Sequence, residues 1–132
     1  VWGEGEAICV TAIDRKQGHK AGRIRNIGLK IDCCGENGVF LHGSADNYLE
    51  DISLRGMRIH MKKQTRWPLH QWDLRPCEAP GIAPGAPHGV TCVYGRGIRC
   101  EDVRVTHDEN MNEWLDGQDF FWQNTEDILV RE

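Results

Sequence analysis

A unit of about twenty-five residues recurs along this chain, and it limits the folds that the chain can adopt. The pair Asn26-Ile27 returns as Asp51-Ile52, as Asp102-Val103 and as Asp127-Ile128. The successive spacings are 25, 51 and 25 residues. A fixed period in this range is typical of a solenoid, in which each repeat buries its apolar face against its neighbours.

A second set of apolar residues keeps the same phase. Val39, Val90 and Leu115 each lie 13 residues before the apolar member of the last three pairs. The sequence therefore predicts that these three residues occupy equivalent positions in successive turns of the solenoid.

The pattern inside each repeat indicates strands. Ile27, Leu29 and Ile31 alternate with Gly28 and Lys30, which is the period of two that places alternate side chains on one face of a strand. No repeat contains a helical stripe of ten or more residues, so helical repeats and leucine-rich repeats are disfavoured.

The short polar residue before each apolar position suggests a bend between strands. Asp51 and Asp102 stand where one strand would turn into the next, and Asn and Asp adopt left-handed backbone more readily than most residues. We therefore predict an all-β fold, a right-handed parallel β-helix that is partial in this chain. The alternative is an antiparallel β-sandwich, for which Asn37-Gly38 is the only good hairpin signal.

Composition excludes several classes of partner. A length of 132 residues indicates one globular unit. No apolar stretch is long enough to span a membrane. The formal net charge of -4 gives no basic footprint for nucleic acid. The basic cluster formed by Lys20, Arg23, Arg25 and Lys30 lacks interleaved aromatic residues, and we expect it to be a solvated face.

The ends of the chain do not resemble the polar caps that solenoids need. The chain starts at Val1-Trp2-Gly3 and stops at Val130-Arg131-Glu132, inside the fourth copy of the strand motif. We therefore expect residues 1–132 to be a single partial β-helix domain, with missing N-terminal coils of the same protein as its neighbours.

The six cysteines favour free thiols over other uses. Cys33 and Cys34 are adjacent, and no C-x-x-C pair suggests zinc. Cys92 and Cys100 fall on strand-like stretches, where a thiol serves as a small apolar filler. Disulfides remain an alternative, and we predict neither a metal site nor a cofactor.

One long interruption of the repeat is the expected place for function. A Pro/Trp-rich loop insertion at about 62–88 contains every proline of the chain: Pro68, Pro76, Pro80, Pro84 and Pro87. Prolines cannot donate a ladder of hydrogen bonds, and loops on a rigid solenoid often line its binding face. The candidate substrate-binding residues are Arg66, Trp67, Asp73 and Arg75, because indole faces stack on sugar rings while charged groups bind hydroxyls and carboxylates.

The same insertion can also be interpreted as a packed loop. Trp67 and Trp72 would then cover apolar strands, and Arg75 would pair with Asp73 or Glu78. The acidic stretch at 108–114 does not match a calcium loop and is expected to be solvated. Each histidine, taken alone, is expected to be structural or exposed, and none is assigned a catalytic role.

Four blocks of sequence, in order, carry a family resemblance. They are ENGVFLHGS at 36–44, LEDI at 49–52, RWP at 66–68 and DLRPC at 73–77. Residues 22–132 thereby resemble the C-terminal part of bacterial glycoside hydrolases of family 28, the polygalacturonase-like group. The resemblance implies a right-handed parallel β-helix and an extracellular or periplasmic parent enzyme that hydrolyses pectin-type polysaccharide or oligosaccharide substrates with inversion.

The chain departs from that family at its catalytic blocks. The Asn-Thr-Asp, Asp-Asp, Gly-His-Gly and Arg-Ile-Lys blocks are absent, and inverting hydrolysis needs a carboxylic acid and a carboxylate base. Asp116 and Asp119 are three residues apart, and in a strand-rich coil this spacing is weak evidence that they share a face, so we do not assign them these roles. We therefore predict no catalytic residue and an isolated chain that is inactive. The alternative function is a non-catalytic β-helix module that binds carbohydrate or assembles end to end.

Overall fold

The computed structural model describes residues 6–16, 18–77 and 81–132. Within these ranges the chain forms strands and one short 3-10 helix at Glu109–Met111. The strands are β1 (Glu6–Thr11), β2 (Arg25–Leu29), β3 (Cys33–Gly35), β4 (Asn37–His42), β5 (Leu49–Met61), β6 (Gln71–Asp73), β7 (Ile82–Pro84), β8 (Val90–Val93), β9 (Gly95–His107), β10 (Phe120–Gln123) and β11 (Glu126–Arg131). Val1, Trp2, Gly3, Glu78 and Pro80 lie outside the described residues.

Two parallel sheets make up most of the fold. The four-stranded sheet has the order β1-β4-β8-β10, and the five-stranded sheet has the order β11-β9-β5-β2, with β3 also pairing with β5. The chain passes from one sheet to the other between β4 and β5, between β8 and β9, and between β10 and β11. The all-β prediction is confirmed, and parallel pairing excludes the antiparallel β-sandwich. Asn37 and Gly38 begin β4 rather than forming a hairpin turn.

The hydrophobic core lies between the two sheets. Leu41 from β4 and Cys92 from β8 face Ile52, Leu54 and Cys100 from the five-stranded sheet, and all five side chains are fully buried. Alternate residues point inward, as the period of two predicts. The expected core thiols are therefore confirmed at Cys92 and Cys100, and none of the six cysteines forms a disulfide.

The register of the five-stranded sheet corrects the predicted repeat. Ile27 pairs with Ile52, Ile52 pairs with Ile98, and Ile98 pairs with Ile128. The predicted equivalence of Ile52 and Val103 is wrong, because Val103 pairs with residue 57 instead. The equivalence of Val39 and Val90 in the four-stranded sheet is confirmed, whereas Phe120, not Leu115, continues that row.

Left-handed backbone at the bends explains why the repeated Asn and Asp residues were recognised as bends and why the predicted spacing of the repeat was wrong. Asn26, Asp51, Asp102 and Asp127 all have positive φ, at 60°, 55°, 52° and 53°, so the predicted bend conformation is confirmed. Three of them share one row of bends, which Gly97 completes with φ 66°.

Asp102 belongs to a second row of bends. Its neighbour in the register is Gly56, which has φ 58°. Both β5 and β9 therefore bend twice, and the Asp-plus-apolar motif marks the first bend in β5 but the second bend in β9. A motif that changes from one row of bends to the other between successive strands gives a misleading period.

The segment between β5 and β8 carries a small antiparallel hairpin formed by β6 and β7. This hairpin packs on the outer face of the four-stranded sheet. Trp72 is 6% exposed and contacts Phe40 and Phe121 edge to face, with ring centroids 5.6 Å apart in each pair. The packed-loop interpretation is therefore confirmed for Trp72, but Trp67 is 48% exposed and does not cover the strands.

The acidic stretch at 108–114 is not simply solvated, which corrects the expectation. Met111 is fully buried, and the Asn110 side chain exchanges two hydrogen bonds with the backbone of Lys63. The stretch therefore docks onto the segment that leads to the hairpin. Within the described residues, no helix is long and apolar enough to cross a membrane.

Candidate functional site

The predicted site residues form two separate pairs in the structure. Asp73, at the end of β6, binds Arg75 through two side-chain hydrogen bonds of 2.8 and 2.9 Å. The Arg66 guanidinium lies 5.0 Å from the centroid of the Trp67 ring. Asp73 and Arg75 line a cavity of about 460 Å³, whereas Arg66 and Trp67 are not among its described lining residues.

The cavity lies on the outer face of the four-stranded sheet. Its floor includes Cys9 and Thr11, which point away from the core on the edge strand β1. One wall is the end of β6 with Leu74 and Pro76. The opposite wall is the loop that follows β1. Its residues in the cavity lining are Ile13, Arg15, Lys16, His19, Lys20, Ala21 and Gly22.

A carboxylate inside the loop holds the second wall in place. Asp14 accepts the backbone N–H of Ala21 at 2.7 Å and the ammonium of Lys20 at 2.9 Å. These hydrogen bonds, with the backbone bond contributing most, lower the pKa of Asp14. The Asp14 side chain thus links the two ends of the loop. Asn47, from outside the loop, donates to the carbonyl oxygens of Ala21 and Gly22 at 3.3 and 3.1 Å.

The charge of the cavity is predominantly positive. Lys20 is paired with Asp14, and Arg75 is paired with Asp73. Within the described part of the chain, the side chains of Arg15 and Lys16 have no hydrogen-bond or ion-pair partner. Two unneutralised cations in one cavity favour an anionic or polyhydroxylated ligand.

The Asp73–Arg75 pair adds a fixed polar surface to this cavity. Hydrogen bonds from the Arg75 side chain and backbone lower the pKa of Asp73 to about 2, and the same pairing raises the pKa of Arg75. Asp73 therefore stays ionised under all ordinary conditions, so it accepts hydrogen bonds and does not act as a general acid.

His42 lies next to the cavity floor and was not singled out as a site residue. It is the register partner of Thr11 on the neighbouring strand. Its Nδ1 atom lies 2.6 Å from the carbonyl oxygen of Gly43, so Nδ1 carries the proton and Nε2 has a free lone pair. Burial lowers the pKa of His42, despite the bond to Gly43, and the ring is neutral at neutral pH.

Sequence reasoning missed the cationic loop as a part of the site. The signal was present, since Arg15, Lys16, His19 and Lys20 lie within six positions. The basic cluster of Lys20, Arg23, Arg25 and Lys30 is exposed, as expected for a solvated face, and Arg23 pairs with Glu50 at 2.7 Å. Only Lys20 of that cluster belongs to the cavity.

A larger groove of about 560 Å³ lies on the outer face of the five-stranded sheet. Two of its three lining cations are paired: Arg99 is bound to the Asp127 carboxylate and backbone carbonyl, each at 2.7 Å, and Arg55 lies 3.7 Å from the Glu101 carboxylate, which leaves Lys30 unpaired within the described ranges. We therefore place the candidate site in the cavity beside the hairpin. Among the described residues, no group of three or more His, Cys, Asp or Glu side chains is arranged to hold a metal ion.

Comparisons with protein-family models, with curated proteins and with solved structures give no match for this chain.

Proposed function

We propose that this chain is part of a right-handed parallel β-helix and that it is the substrate-binding segment of a glycoside hydrolase acting on pectin-type polysaccharides. The fold proposal is supported by the passage of the chain between two parallel sheets and by the two rows of left-handed bends. Right-handedness is supported by a general rule, since about 98% of parallel crossover connections within a sheet are right-handed.

The cationic cavity carries the functional proposal. It combines the cations of Arg15 and Lys16, which have no ion-pair partner among the described residues, with the fixed Asp73–Arg75 pair. Pectin-type polysaccharides present a carboxylate on each uronate unit and hydroxyls between these carboxylates. Arg and Lys bind the carboxylates, while Asp73 accepts hydrogen bonds from the hydroxyls.

The Trp67–Arg66 pair provides a second contact for a long polymer. The Trp67 indole is half exposed, which leaves apolar ring surface for a sugar ring to stack against. Arg66 stacks over the same ring, and its guanidinium brings a positive charge to the contact. In this proposal all four predicted site residues contribute to binding, and the two pairs contact different parts of the bound polysaccharide.

The chain binds its substrate without hydrolysing it. Inverting hydrolysis requires two carboxyl groups about 6.5–9.5 Å apart, one of them protonated. Asp73 is held ionised by Arg75, and Asp116, whose pKa is lowered although burial opposes this, is bound to His88. Neither residue can be the acid. A protein that binds pectin-type substrates is expected to act outside the cytoplasm.

Isothermal titration calorimetry with tetragalacturonate, and with a neutral tetrasaccharide of equal length, tests the binding proposal. We expect tetragalacturonate to bind more tightly, and its affinity to fall with added salt because the contacts are ionic. The double variant Arg15→Ala, Lys16→Ala should weaken binding about tenfold. Arg131→Ala, which removes an exposed arginine far from the cavity lining, is the matched control. Equal affinity for the two sugars, or no binding of either, would reject the proposal.

A further inference from the structure

A hydrogen-bonded row of three side chains lies on the other sheet, away from the cavity. His60 of β5 and Thr106 of β9 are register partners in the five-stranded sheet. The preceding residue of β5, Ile59, is buried in the core, so His60 and Thr106 lie on the outer face. Asp108 follows directly after β9 and completes the row.

The two hydrogen bonds fix the tautomer of the neutral imidazole. His60 Nε2 lies 2.9 Å from Asp108 Oδ1, and His60 Nδ1 lies 2.8 Å from Thr106 Oγ1. An ionised carboxylate only accepts hydrogen bonds, so Nε2 of the neutral ring carries the proton. The Nδ1 lone pair then accepts the hydroxyl proton of Thr106.

Sites with an activated nucleophile contain the same three hydrogen-bonded groups: a hydroxyl, a base that receives its proton, and a carboxylate that orients the base. The row is also accessible, because the side chains of His60 and Asp108 are 41% and 42% exposed and Thr106 is exposed. We propose that Thr106, His60 and Asp108 form an acyl-transfer site that takes small ester substrates, such as O-acetyl groups.

The proposed step is balanced in atoms and charge. The Thr106 Oγ atom attacks the ester carbonyl carbon, and its proton moves to His60 Nδ1. The tetrahedral intermediate expels the alcohol, which takes that proton from His60, and the acyl group remains on Thr106 as an ester. Water, activated by the same imidazole, then releases the carboxylic acid and restores the hydroxyl.

Positive charge lies beside the row on the same face. Arg58 and Arg104 are register partners located two residues before His60 and Thr106, at a distance of roughly 7 Å along the strands. Arg58 is held by hydrogen bonds to the carbonyl oxygens of Met57 and Asp102 at 2.9 and 3.1 Å. The Asp102 carboxylate lies 3.4 Å from Arg58 and 3.5 Å from Arg104, so the two guanidinium groups share one carboxylate and a net positive charge remains. In the proposed reaction this net charge would favour the negative charge that develops on the carbonyl oxygen.

The test uses p-nitrophenyl acetate with the 132-residue chain. Release of p-nitrophenolate is followed by absorbance, and the acetylated residue is located by peptide mass spectrometry. We expect either an acetyl group on Thr106 or continuous turnover that Thr106→Val abolishes. His60→Gln should reduce the rate of either process roughly a hundredfold, and Thr106→Ser should retain it. His107→Gln, which changes the exposed histidine directly after Thr106 in β9, is the matched control and should leave the rate unchanged.

Two results would overturn this proposal. One is acetylation confined to lysines or cysteines, with no turnover that depends on Thr106. The other is a Thr106 reaction rate that is the same in His60→Gln as in the wild-type chain, which would mean that the imidazole does not activate the hydroxyl. Because the row lies on the opposite sheet from the cavity, either result leaves the carbohydrate-binding proposal to be decided by its own titration.

Discussion

The carboxylate of Glu36 accepts the backbone N–H of Gln64 at a distance of 2.8 Å. Glu36 lies between β3 and β4 and is fully buried, whereas Gln64 lies in the segment that follows β5. The same carboxylate also binds Thr65 and the ammonium of Lys63, at 3.1 Å from Nζ. One buried side chain therefore attaches the beginning of the hairpin segment to the sheets.

The stability of this attachment should depend on pH. Burial opposes ionisation of Glu36, but the backbone N–H groups of Thr65 and Gln64, together with the Thr65 hydroxyl and Lys63, outweigh it and lower the pKa. A lowered pKa contributes stability above the ordinary glutamate value of about 4.3, and this stability is lost as the pH falls through the lowered value. We expect Glu36→Gln to remove this pH dependence and to cost about 2 kcal/mol at neutral pH.

Urea unfolding at neutral pH and at a pH of about 3 measures this effect. Glu113→Gln is the control, because Glu113 is exposed. If Glu36→Gln and the wild-type chain lose the same stability on acidification, the Glu36 carboxylate is not the group responsible.

Replacing each of two tryptophans by alanine should have different effects. Trp72 is buried between aromatic rings, and its indole N–H donates to the Ala86 carbonyl oxygen at 3.1 Å. Trp72→Ala should therefore lower the free energy of unfolding by about 3 kcal/mol. Trp67→Ala should change it by less than about 0.5 kcal/mol, because that side chain is half exposed, while weakening the binding of tetragalacturonate.

Thermal unfolding and calorimetric titration of the two variants separate these effects. A Trp67→Ala variant that loses stability but keeps its affinity would return Trp67 to a structural role. A Trp72→Ala variant as stable as the wild-type chain would contradict the packing of the hairpin on the sheet.

The bend at Asp51 should tolerate glycine better than alanine. Asp51 has φ 55°, in the left-handed region, where a Cβ atom is unfavourable unless a short polar side chain compensates for it. We expect Asp51→Ala to destabilise the fold by about 1 kcal/mol and Asp51→Gly to cost less. Chemical denaturation of both variants provides the comparison, and the reverse order of stability would contradict the conformation of the bend.

The cysteines should differ strongly in their reactivity. Burial raises the pKa of the Cys92 and Cys100 thiols to about 12, and alkylation requires the thiolate. Cys34 is exposed on β3. Iodoacetamide at mildly alkaline pH should therefore modify Cys34 while Cys92 and Cys100 stay unmodified until the chain unfolds, as peptide mass spectrometry would show. Rapid modification of Cys92 in the folded chain would contradict its position in the core.

Local patterns in the sequence predict the strand character of this chain and the bends at Asn and Asp, but not the bends at Gly56 and Gly97. The alternation that starts at Ile27 and the Asp before Ile52 both depend on short-range backbone preferences, although β2 ends at Leu29 and Ile31 is exposed. The register was not predictable in the same way. A row such as Ile52–Ile98 forms because turns of unequal length bring the two strands together, and the lengths of the intervening loops are set by contacts between distant residues.

The candidate site was predictable only in part, for a related reason. Asp73 and Arg75 are two residues apart, so their pairing could be anticipated from the sequence alone. Arg15 and Lys16 join them in one cavity although they lie about sixty residues away in the chain, and this proximity arises from the hairpin folding over the edge of the four-stranded sheet. The His60–Thr106 contact likewise depends on the register of β5 with β9.

Mapping the binding surface by nuclear magnetic resonance tests the central claim most directly. The ¹⁵N-labelled chain is titrated with tetragalacturonate, and shifts of the backbone amide signals are assigned. We expect the largest shifts at Thr11, Lys16 and Arg75, which line the cavity beside the hairpin. Shifts confined to the outer face of the five-stranded sheet, around Ser53 and Arg99, or the absence of any shift at saturating sugar, would contradict the account.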